Sequence, residues 1–96
     1  MKIFISTDME GATGIVHPEQ VSIKGDDYNR GRCLLTGDVN AAVEGALEAG
    51  ADEVVICEGH ANMRVILIEK LNEKSRLVAG PASSKEIGRA SCRERV

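Results

Sequence analysis

The stretch Met1-Lys2-Ile3-Phe4-Ile5-Ser6-Thr7-Asp8-Met9-Glu10-Gly11 decides how the rest of the chain is read. Ile3 to Ile5 form a continuous apolar run without polar alternation, the mark of a strand covered on both faces in a parallel sheet. A strand over residues 2–6 follows. Immediately beyond it come two carboxylates, Asp8 and Glu10, spaced i and i+2. In extended backbone, residues two apart point the same way, so both carboxylates can aim at one point while Gly11 lets the chain turn away.

A second strand, Glu53 to Cys57 (EVVIC), carries three β-branched residues in a row. Between the two strands, Leu35, Val39, Ala42, Val43, Ala46 and Leu47 recur at spacings of three and four. That is one apolar stripe of a helix. The helix begins near Tyr28, with Asp26 or Asp27 as its cap, and ends at Gly50. Gly31 and Gly37 predict an irregular first half. Strand, helix and strand make a βαβ unit whose strands run parallel, so their carboxyl ends share one edge. Ile66, Leu67, Ile68 and Leu71 predict a second, shorter helix after Met63, and residues 76–79 a third short strand. Residues 11–25, with three glycines and Pro18, form a long connection at the carboxyl edge.

At that edge the second strand delivers Glu58-Gly59-His60. Neighbouring strands lie about 4.8 Å apart, so His60 can reach the point that Asp8 and Glu10 face, where open α/β sheets bind their ligands. Two carboxylates and an imidazole, without a thiolate set, suit Zn²⁺ or a similar divalent ion. The other polar residues carry less. Gly11 to Gly14 lacks the spacing of a phosphate loop, and His17 before Pro18 reads as a loop residue. Cys57 reads as an inert thiol, Arg64 as an exposed charge, and Glu44 with Glu48 as a solvated helix face.

Composition bounds the function. The chain has 96 residues, 43% of them hydrophobic, with one Tyr, one Phe and no Trp. The core is therefore aliphatic, and no aromatic platform exists for stacking bases. A net charge of -3 argues against an electrostatic grip on nucleic acid or anionic membrane. No signal-peptide core or membrane span is legible. Cys33, Cys57 and Cys92 form no CxxC pair, which fits a reducing compartment, and the expected location is cytoplasmic. Residues 85–96 carry four basic and two acidic side chains, and residues 1–84 carry eight and thirteen. The body is thus -5 and the tail +2. From Ser83 onward no apolar period survives, so residues 83–96 are expected to be a disordered, non-native tail on a unit spanning residues 1–82.

Taken together, the opening S-x-D-M-E-G motif, His17-Pro18-Glu19-Gln20-Val21, Gly45-Ala46-Leu47-Glu48-Ala49-Gly50-Ala51 and His60-Ala61-Asn62-Met63-Arg64 resemble the amino-terminal part of the D-aminopeptidase family of dinuclear zinc metallopeptidases, over about residues 1 to 80. The resemblance implies an incomplete part of a larger three-layer α/β domain. It also implies two zinc ions, with Asp8 bridging them and Glu10 and His60 completing the ligands of one. The second metal's further His and Glu ligands would lie downstream, so at most one site is largely present here. Such a centre activates water for attack on a peptide carbonyl. Family members act on short peptides, including D-amino-acid-containing ones, and form homo-oligomers. The sequence departs from the family around the histidine, with Cys57-Glu58-Gly59-His60-Ala61 where Asn-Asp-Ser-His-Gly is more frequent. This chain alone is expected to be inactive. Two rival readings stand beside this one: a Mg²⁺-dependent phosphohydrolase with Asp8 as nucleophile, and a non-catalytic structural or assembly fragment.

Overall fold

The computed structural model describes residues 1–60 and 65–79. Three parallel strands, β1 (Lys2–Thr7), β2 (Glu53–Glu58) and β3 (Arg76–Val78), lie in the order β1-β2-β3. One long helix, α1 (Tyr28–Glu48), crosses from β1 to β2. The expected βαβ unit with its short parallel sheet is present, and residues paired in register (Ile3 with Val54, Ile5 with Ile56, Thr7 with Glu58) bring both strands to the same carboxyl edge. The expected boundary at residue 82, the segment 83–96 and the stretch 61–64 lie outside the described residues.

The core forms where α1 lies on the sheet. Leu35, Val39 and Val43 on the helix meet Val54 and Ile56 on β2, and each such side chain taken from water contributes about 1.5–3 kcal/mol before entropy is counted. Val54, Val55 and Ile56 are wholly buried and Cys57 nearly so, as an apolar strand covered on both faces requires. On β1 the same expectation holds for one face only. Ile3 and Ile5 pack on the core, whereas Lys2, Phe4 and Ser6 alternate outward and Phe4 is 41% exposed.

The apolar stripe of α1 packs as expected at Leu35, Val39, Val43, Ala46 and Leu47 and departs at one position. Ala42 is exposed, and Gly31 and Thr36 are buried with Leu35, Val39 and Val43. Gly31 therefore has a packing role, and the helix runs through it unbroken. A Cβ there would fall on the carbonyl oxygen of Gln20 and lie 2.8 Å from Cε of Met9. Gly31→Ala is expected to lower stability by about 1–3 kcal/mol, as overpacking does, despite the better helix propensity of Ala. Urea unfolding measures it, and a more stable variant would contradict the close approach.

Other local expectations divide. Gly50 closes α1 with a φ of 103°, as expected. Asp27 stands at the N-cap, yet its side chain makes no capping hydrogen bond. The second helix expected after Met63 is absent among the described residues, where a single 3-10 turn, Ile68–Lys70, takes its place. The backbone is extended at Leu67 and Leu71, on either side of that turn, and the amides of Val65 and Ile66 donate to the Glu58 carboxylate and that of Leu67 to Thr36 Oγ1, which ties the segment to β2 and α1.

Candidate metal centre

Strand alternation sets the carboxylates. Thr7 ends β1 buried, and the next residues alternate: Asp8 out, Met9 in, Glu10 out. Met9 is wholly buried in the core beside Gly31, so its burial anchors the segment and leaves the two flanking carboxylates facing outward, 58% and 62% exposed. The Met9 amide donates to Asp8 Oδ1 at 2.8 Å. Gly11, at φ 99°, then turns the chain away from the sheet.

His60 arrives from β2 across the strand gap. Gly59 makes the approach possible, because a Cβ there would lie 2.7 Å from the Thr7 carbonyl oxygen. The imidazole is only 13% exposed. Its Nδ1 lies 2.7 Å from Asp8 Oδ1 and 3.2 Å from Glu10 Oε1, while Nε2 lies 2.8 Å from the carbonyl oxygen of Val21. One donor atom from each of Asp8, Glu10 and His60 falls within 4.8 Å of the others. The structure thus brings together all three residues that the sequence singled out.

The electrostatics follow from this packing. Burial by itself lowers the His60 pKa, but the Val21 hydrogen bond, the Asp8 hydrogen bond and the charges of Glu10 and Asp8 outweigh it and raise the pKa above the ordinary histidine value. Partial burial pushes the Asp8 carboxyl up. The Met9 amide, the hydrogen bonds with His60 and Glu10 and the charge of His60 overcome that and hold it below the ordinary carboxylate value.

These contacts test the donor set for a cation. A carbonyl oxygen only accepts, so Nε2 must carry a proton to meet Val21. Nδ1 then faces two carboxylate oxygens, and three electron-pair donors converging on one point require a proton or a metal cation between them. A metal-ligating imidazole ordinarily has its other N–H on a carbonyl or carboxylate in this way. The residues present fit a divalent ion.

The remaining candidates lie elsewhere. Glu58 is buried, and its carboxylate serves Val65 and Ile66 instead of the cluster. His17 turns on its own loop, its Nδ1 accepting from the Glu19 amide at 3.1 Å. Cys57 is buried in β2, and Gly11 to Gly14 opens no helix. Arg64 lies outside the described residues. Two contributors escaped sequence reading: the Val21 carbonyl, which bears no side-chain signature, and Gln20, whose signal was a three-residue offset from His17 at the start of a turn.

The parallel sheet and its edge cluster define an α/β protein whose βαβ unit presents a group able to hold a metal ion. A family model for D-aminopeptidase matches residues 1–90, and the chain belongs to that peptidase family. It is 32% identical over 80 residues to the D-aminopeptidase of Bacillus subtilis (strain 168), covering 83% of this chain and 29% of that protein. It also resembles the solved structure of the Zn-dependent D-aminopeptidase DppA from Bacillus subtilis, described as a self-compartmentalizing protease. The TM-score is 0.84 at 32% identity, over 85% of this chain and 30% of that one. The chain therefore spans about three-tenths of the length of these relatives.

Proposed function

We propose that this chain carries the zinc-ligand set Asp8, Glu10 and His60 of a D-aminopeptidase that removes amino-terminal D-amino acids from short peptides. One observation carries the reading: the Nε2 of His60 rests on the Val21 carbonyl, so its Nδ1 meets two carboxylate oxygens. The Zn-dependence named for the solved relative supports the choice of metal. When bound, such an ion supplies an activated water and polarises a peptide carbonyl.

The chain's own residues hold and orient. Asp8 and Glu10 supply negative charge at the open side of the sheet edge, His60 supplies a neutral nitrogen from the covered side, and Gly11 turns the chain away after them. His60 counts against the Mg²⁺ phosphohydrolase reading, since Mg²⁺ takes oxygen ligands. In this reading the three side chains hold one zinc, and residues 1–96 by themselves do not turn over substrate. Assembly into a homo-oligomer, supported by the self-compartmentalizing relative, and a cytoplasmic location belong to the same proposal.

Zinc titration of the purified chain tests it, with one ion bound per chain and no hydrolysis of a D-alanyl p-nitroanilide expected. A chain that retains no zinc refutes the ligand assignment. Hydrolysis that disappears on chelation refutes the inactivity.

A further inference from the structure

Between β1 and α1 the chain makes a long excursion, residues 11–25, whose backbone must be held in place if Val21 is to meet His60. Backbone turns fix parts of it, among them Val21 N–H on the Pro18 carbonyl, and one side chain ties its first half to the turn that precedes Val21. Gln20 is only 5% exposed, and both ends of its amide are used. Its Oε1 accepts from the amides of Val16, at 2.7 Å, and His17, at 2.8 Å, while Nε2 donates to the Gly14 carbonyl at 2.8 Å. Three backbone groups that belong to no strand or long helix are thereby paired through a single residue, whose own buried amide is satisfied at both ends, as a buried polar group must be. The backbone of Gln20 is fixed as well, because its carbonyl oxygen lies over Gly31 of α1, where no Cβ fits.

The next carbonyl along the chain is that of Val21, the acceptor for His60 Nε2. We infer that Gln20 is a positioning residue for His60: seated on Gly31, it braces the 11–25 loop and holds the Val21 carbonyl where it fixes which imidazole nitrogen faces Asp8 and Glu10. The inference deepens the zinc-ligand reading and rests on it. Gln20 touches neither the cluster nor a substrate, and its effect passes through the ring it orients. An outer hydrogen-bond partner of a ligating histidine is ordinarily worth about 10–100-fold in metal affinity.

The test uses the 96-residue chain with two readouts. Zinc affinity is measured by competition with a chromophoric chelator, and the imidazole N–H groups are followed by long-range proton–nitrogen correlation, in a chain whose only histidines are His17 and His60. Gln20→Ala is expected to abolish the protected Nε2–H signal of His60 and to weaken zinc binding by about 10–100-fold. Gln20→Glu keeps an oxygen for Val16 and His17 but loses the donor to Gly14, so it should fall between wild type and Gln20→Ala. If Gln20→Ala does not fold, the Gln20→Glu chain decides.

An unchanged Nε2–H signal overturns the inference even if affinity falls, since the loss would then be merely structural. Unchanged affinity with a lost signal overturns it equally. Should the wild-type chain hold no zinc, the ligand assignment fails, while the Nε2–H signal of the metal-free chain still decides whether Gln20 positions the ring.

Discussion

A His60→Ala chain is expected to lose zinc binding by more than the ~10–100-fold that removing an outer partner costs, because the change deletes one of the three proposed ligands. Asp8 and Glu10 then remain as two exposed carboxylates on one short segment, a pair that water screens and many surfaces carry without a metal. His17→Ala provides the contrast. That imidazole is exposed and spends its Nδ1 on the Glu19 amide, so zinc affinity should stay at the wild-type value. Competition titration with a chromophoric chelator reads both chains side by side. A His60→Ala chain that binds as wild type does would remove the imidazole from the ligand set and leave only an acidic loop.

Glu58→Ala should destabilise the fold by about 2–4 kcal/mol, since two buried amides lose their acceptor and each orphaned group costs about 1–3 kcal/mol. Glu58 is 3% exposed, and its Oε1 accepts from Val65 and Ile66, themselves buried. The carboxylate thus pairs two buried amides of this segment. Glu58→Gln retains an oxygen at that position and should cost much less. Urea unfolding of the metal-free chain separates the two variants, and equal stability of Glu58→Ala and wild type would show that those amides find other partners.

The sequence was most legible where periodicity and chemistry coincided. Ile3 to Ile5 and Val54 to Ile56 announce two strands because uninterrupted apolar runs have few other uses in a chain this short, although only the second is covered on both faces. The i, i+2 spacing of Asp8 and Glu10 placed both carboxylates on one side for the same geometric reason that buries Met9 between them. Once the strands were neighbours, His60 had to arrive beside Asp8. The expected second helix fails because a cluster of Ile and Leu reports burial and not backbone conformation: Leu67 and Leu71 are extended on either side of a single 3-10 turn, with the amides of Val65, Ile66 and Leu67 held by Glu58 and Thr36. Gly31 was read as a propensity cost, although its missing Cβ is what admits Gln20 and Met9. Such contacts join residues far apart in sequence, and no local pattern encodes them.

Asp8 and His60 are 52 positions apart, and the whole of α1 and the parallel pairing of β1 with β2 lie between them. A cation held by all three side chains is therefore a staple across the crossover. The unfolded chain scatters these groups and holds the ion poorly, so free zinc at a hundred times its dissociation constant adds about 2.7 kcal/mol to the folded state. If the proposed site holds zinc, zinc supply and resistance to unfolding become one coupled quantity for this small aliphatic unit, and a chelator acts on the fold as well as on the site.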